Sequence, residues 1–100
     1  MLCVLTHRRL KPGSYEAFRE AWQPDDLWPA FQHGYHLRSL DDPDEVISFV
    51  FYDTTMEEFE AIRDDPRWIA AEDRRLQRLS RLQESMRIGG VYEVAEEIRA

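Results

Sequence analysis

An α+β fold with the element order β-α-β-β-α-β is predicted by three observations on this sequence. Strand-like apolar runs stand at Leu2–Leu10 and Val46–Tyr52, helical three- and four-residue apolar spacings fall between them and after them, and turn residues punctuate the joins. In this order, a four-stranded antiparallel sheet carries its helices on one face, the ferredoxin-like arrangement.

The first strand runs from Leu2 to Leu10, with β-branched Val4 and Thr6, and stops at the turn Lys11-Pro12-Gly13. Ser14 is placed to cap a helix whose Tyr15, Ala17, Phe18, Ala21 and Trp22 share one face. Pro24 ends it, because proline lacks an amide proton and disfavours helical geometry in Gln23. An aromatic-bearing loop through Trp28 and Pro29 follows, then a strand from Gly34 to Leu40, a turn at Asp41-Asp42-Pro43-Asp44 and the strong strand Val46–Tyr52. Thr54 and Thr55, each three residues before a glutamate, open a second helical region. Pro66 divides it, being better placed as the first residue of a new helix than inside an old one. The new helix is read through Trp68, Ile69, Ala71, Leu76, Leu79, Leu82 and Met86, with Arg74, Arg75, Arg78 and Arg81 largely outside its apolar stripe as a solvated face. Gly89-Gly90 is read as its breaker, and Val91, Tyr92, Val94 and Ile98 as a last strand.

With 100 residues, the chain is expected to form one domain over 1–100, and 43% apolar residues supply its core. The formal charge of −7, with arginines dispersed among acids, argues against a nucleic-acid partner. The only cysteine, Cys3, has no intrachain partner, and the apolar run before His7, Arg8 and Arg9 is too short for a signal peptide or a membrane span. No membrane partner and a reducing, cytoplasmic location are the corresponding expectations.

Side chains alternate across a strand, so Val46, Val50 and Tyr52 face one way and Ile47, Phe49 and Phe51 the other. Both faces are apolar and the helices cover one, which predicts a homodimer through the other unless the Trp28 loop folds over it.

The runs "HRRLKPG", "SYEAFREAW", "VISFVFYDTT" and "MEEFEAIRDDPRWIAAED" resemble the dimeric α+β barrel superfamily, in particular its antibiotic biosynthesis monooxygenase-like (ABM) group, over nearly the whole chain. The resemblance implies a cleft within each subunit between sheet and helices, and oxygenation of small aromatic or polyketide-like compounds without a cofactor. It also admits isomerases or lyases, and members with no reaction. The haem-degrading relatives share an Asn, a Trp and a His. This chain aligns His7, the neighbourhood of Ile62, and Glu72 there, and a carboxylate is a poor haem ligand.

Glu72 stands on or beside the apolar stripe between Ile69 and Leu76, which makes it either a general base in an apolar cleft or a partner of Arg75 or another arginine. His7, alternating with Cys3 and Leu5, is either an assisting proton carrier or a histidine held by a carbonyl or an acid. Trp22, Trp28, Phe31, Tyr35 and Trp68 are candidates for the walls of a pocket for a small organic molecule, or are simply core. Of Arg8 and Arg9 at most one can enter a given pocket, and Arg9 is assigned to substrate. His33 and His36 lack a third ligand, so no metal is assigned, and His36 is read as solvent-facing. A non-enzymatic dimeric module binding a metabolite or a protein is the competing reading.

Overall fold

Local sequence and sheet pairing together set the elements. The computed structural model describes residues 1–100, apart from the side chain of Ile88. Its elements are β1 (Leu2–Leu10), α1 (Tyr15–Trp22), β2 (Phe31–Arg38), β3 (Glu45–Tyr52), α2 (Met56–Arg63), α3 (Pro66–Ser80) and β4 (Gln83–Glu93). The sheet order is β2-β3-β1-β4, and every neighbouring pair is antiparallel.

The caps follow the chemistry of their residues. The Thr55 side chain accepts from the Glu58 amide at 3.2 Å while Thr54 Oγ1 donates to the Glu58 carboxylate at 2.8 Å, and this closes the first turn of α2. Asp65 caps α3 by accepting from the Arg67 amide at 2.9 Å, with Pro66 at the first helical position where no amide is needed. Ser14 occupies the N-cap of α1 but makes no side-chain bond there.

Two boundaries differ from the sequence reading. β2 begins at Phe31, not Gly34, and ends at Arg38, because Phe31 pairs with Tyr52 and thereby extends the ladder past the register shift beside His33. The long helix ends at Ser80, and Met86 lies in β4, paired with Arg8. Gln83 to Arg87 are ordinary helix formers, yet the open edge of β1 needs a hydrogen-bonded neighbour, and that pairing overrides propensity. Gly89-Gly90 is accordingly a bulge within the strand. The β1–β4 register slips between Leu5 and Thr6, and Gly90 adopts φ 103°. Val94 and Ile98 lie beyond the strand.

The even-numbered face of β1 and β3 packs under the helices. Leu10, Phe18, Val46 and Leu79 form the core cluster, with Tyr15, Ala21, Trp22 and Leu82 against it. The opposite face presents Leu5, Ile47, Phe49 and Phe51, together with Tyr35 and Leu37, which are 53% and 44% exposed. The Trp28 loop does not cover that face. A turn in which Phe31 N donates to Trp28 O and Asp53 N to Ala30 O, with Ala30 at φ 68°, tucks the indole under the helices against Phe59 and Trp68.

Candidate functional site

A cleft forms wherever helices cannot fill the space above a twisted sheet, and here it opens between the Trp28 loop, the sheet and α3. Its cavity of about 100 Å³ is lined by Val4, Trp22, Pro24, Trp28, Phe31, Tyr52, Phe59, Glu72 and Arg75. An outer recess shares Trp28 and Glu72 and adds Trp68, Ile69, Arg63 and Asp73. Glu72, Trp22, Trp28 and Phe31 therefore meet in one cavity, and Trp68 backs it with its ring 6.2 Å from Trp28.

Glu72 is held by its neighbour one helical turn on. Arg75 donates through Nε to Oε2 at 3.0 Å and through Nη2 to Oε1 at 2.6 Å, a bidentate fork. Its Nη1 reaches the carbonyl of Trp22 at 3.3 Å, and its guanidinium lies 5.2 Å from the Trp22 ring. Arg78 likewise reaches the carbonyls of Ala21 and Gln23 at the end of α1. These two arginines thus turn inward, a correction to their assignment to a solvated face. The carbonyls at the C-terminus of α1 supply the partial negative charge that draws them.

His7, Arg9 and Tyr35 do not reach the cleft. All three belong to the odd-numbered face of the sheet, opposite the helices. His7 Nε2 lies 2.8 Å from Glu45 Oε1, Arg9 pairs with Asp42, and the Tyr35 ring packs 6.0 Å from Phe49. Cys3 and Leu5 are apolar because they join the open sheet face, so their alternation with His7 marks that face and not a pocket. Burial there raises the Cys3 thiol above its usual range.

The even-numbered face carries what the sequence reading assigned elsewhere. Arg8, 2% exposed, donates through Nε to Gln83 Oε1 at 3.1 Å and through Nη1 to Thr6 Oγ1 at 2.8 Å. Burial, with repulsion from Arg75 and a smaller opposing pull from Glu72, lowers its guanidinium to about 10. His36 turns inward and not to solvent, because its Cα partner is Ser48, which is buried between Val46 and Val50. Its Nδ1 lies 2.8 Å from Ser48 Oγ, and its ring meets Phe18 and Trp22 edge-on at 5.1 and 4.7 Å. Tyr52 is pushed up to about 12, chiefly by burial, and stays a neutral phenol that can donate. Alternation from Val46 was the signal that could have found Ser48. Placing His36 opposite it required the β2–β3 register.

Burial first, then Arg8 and Arg75, lower His36 below the ordinary imidazole value of 6.5. Its folded pKa is depressed, so the unfolded chain binds the proton more readily. The stability this histidine contributes is present above pH 6.5 and is lost as pH falls through the lower folded value. Acid titrations of urea stability should therefore fall more steeply for the native chain than for His36→Gln. Superimposable slopes would contradict the inward, desolvated placement.

Among the described residues, no group of three His, Cys, Asp or Glu is placed to hold a metal ion, and no helix is long and apolar enough to cross a membrane.

Comparison with solved structures places this architecture. SnoaB, a cofactor-independent oxygenase from Streptomyces nogalater solved as a single-substitution variant, superposes with a TM-score of 0.71 at 13% identity, covering 99% of this chain and 97% of that one. A Nitrosomonas europaea protein assigned by name to the antibiotic biosynthesis monooxygenases gives 0.66 at 18% identity, over 96% of this chain and 100% of that one. An uncharacterized NIPSNAP domain protein from Burkholderia xenovorans gives 0.60 at 18% identity, with both chains covered fully. No protein-family model matches the chain, and no curated protein matches it. The chain has the ferredoxin-like α+β fold of the ABM domain proteins. At these identities, the likeness is one of fold.

Proposed function

We propose that this chain is a cofactor-independent oxygenase of the ABM type, working as a homodimer on a compact aromatic or enolisable compound in the helix-side cleft. The observation that carries this is a cavity walled by Trp22, Trp28, Phe31 and Phe59 into which one carboxylate, Glu72, opens beside a neutral phenol, Tyr52. Aromatic walls hold a flat substrate and exclude water, which strengthens the few polar contacts inside. A carboxylate has about four acceptor positions, so the Arg75 fork leaves Glu72 able to take a proton. Removing one from an activated carbon leaves a carbanion that gives an electron to dioxygen. The radical pair closes to a C–O bond, the peroxide takes back the proton held by Glu72, and the hydroperoxide loses water together with that carbon's second hydrogen to leave a new carbonyl. Tyr52 and Arg75 would stabilise the oxygen on which charge develops.

A cavity of about 100 Å³ suits a single ring, whereas ligand sites commonly hold about 300–1,000 Å³. A multi-ring polyketide would need the Trp28 turn to swing out. Oxygen consumption with a panel of reduced quinols tests the reading. Glu72→Gln is expected to lose roughly 10²–10⁴-fold in rate and His7→Ala to keep its rate, since His7 lies across the sheet. Equal rates for native chain and Glu72→Gln would remove Glu72 as the base.

Two features favour a second reading, a dimeric module that binds without reacting: the small cavity and the occupation of both Glu72 oxygens by Arg75. Binding of a compact aromatic with no turnover under air or nitrogen would select it. Turnover under nitrogen would indicate isomerase or lyase chemistry instead.

A further inference from the structure

Charge in the layer between sheet and helices does not balance. The guanidiniums of Arg8 and Arg75 lie there, with the inward-turned Arg78 at the edge on the carbonyls of Ala21 and Gln23, against one carboxylate, and that carboxylate is taken up by the Arg75 fork. Arg8 is 2% exposed, and both of its acceptors, Gln83 and Thr6, are neutral. Among the described residues no acid forms an ion pair with it. Burying a cation without a counter-charge is costly, and an apolar side chain of similar length would fill the same space at lower cost.

Arg8 and Arg75 border one aromatic cluster next to the cleft. Arg8 lies 5.5 Å from the Phe18 ring, Phe18 and Trp22 flank His36, and Arg75 lies 5.2 Å from Trp22. His36 adds no negative charge, and Tyr52 is a neutral donor on the cavity wall.

We infer that the cleft is built for a singly charged organic anion, a flat body carrying a carboxylate or enolate oxygen, which faces Arg75 and supplies the charge that balances Arg8. This rests on the reading of the cleft as the binding site and adds the substrate's charge to it. The anionic oxygen enters on the cavity side of Arg75, and Arg8 acts behind it, through the field in a low-dielectric layer, as a positioning residue.

Benzoate and benzamide, which share size and shape and differ in charge, separate the possibilities by calorimetric titration of the full chain at constant ionic strength. Benzoate is expected to bind at least about tenfold more tightly than benzamide, as a charge-assisted contact should against a neutral one. The preference should vanish in Arg75→Gln, weaken in Arg8→Met, and persist in Arg9→Gln, whose side chain is on the opposite face. Should Arg8→Met fail to fold, Arg75→Gln still decides. Equal binding of the two probes would overturn the anion inference while leaving the cleft as a binding site. A preference that survives Arg75→Gln and disappears in Arg9→Gln would place the anion on the open face and overturn it too. Binding of neither probe would overturn both readings.

Discussion

Phe18→Ala is expected to cost about 3–5 kcal/mol of folding stability, which is the range for emptying an aromatic site in a core. Phe18 is 0% exposed and sits where α1 meets the sheet, within the cluster of Leu10, Val46 and Leu79. Its ring contacts Tyr15 and His36 at 6.2 and 5.1 Å and stands 5.5 Å from the Arg8 guanidinium. Truncation would leave a void beside a buried cation and remove the ring face that the cation uses, so the cavity cost and the lost cation–π contact add. A small domain has about 5–15 kcal/mol in total, so the variant should unfold at a much lower urea concentration with an unchanged slope. A loss below about 1 kcal/mol would mean that α1 does not dock as described.

The second large effect is on assembly. Phe49 lies at the middle of the open sheet face, 6.0 Å from the Tyr35 ring and 6.3 Å from Phe51, with Leu5 as its β1 partner. If a second copy covers this face, Phe49→Glu buries an unpaired carboxylate on each side of a twofold contact. The cost is several kcal/mol per copy, enough to weaken association by roughly a thousandfold. Light scattering should give twice the chain mass for the native protein and the chain mass for the variant, while the variant's circular dichroism stays native. A native monomer at high concentration, or a variant that still dimerises, would refute the dimer and leave the cleft to be judged by itself.

Both effects trace to features that differ in how far they can be read from sequence. The alternation in Val46–Tyr52 identifies two apolar faces because side-chain period in a strand is a local property. The same rule places Arg8 and Arg9 on opposite faces, but it does not say which face the helices take. That choice depends on which even- or odd-numbered set of β1 shares a layer with Phe18 and Leu79, a matter of packing. It put Arg8, not Arg9, under the helices and sent His7 away from Glu72. The segment Gln83–Arg87 shows the same limit. Its residues suit a helix, and only the unpaired edge of β1 makes it a strand.

By itself, then, the sequence determined the α+β order, the cap at Thr55, the start of a new helix at Pro66, the stop at Pro24 and the apolar excess on the sheet, because each follows from residues close together along the chain. Only the tertiary structure decided that Glu72 is gripped by Arg75, that His36 joins Ser48 beneath Trp22, and that Arg8 is buried without an acid. Those are contacts set by strand register and helix docking. Both are outcomes of burying the whole core at once, and no local pattern encodes them.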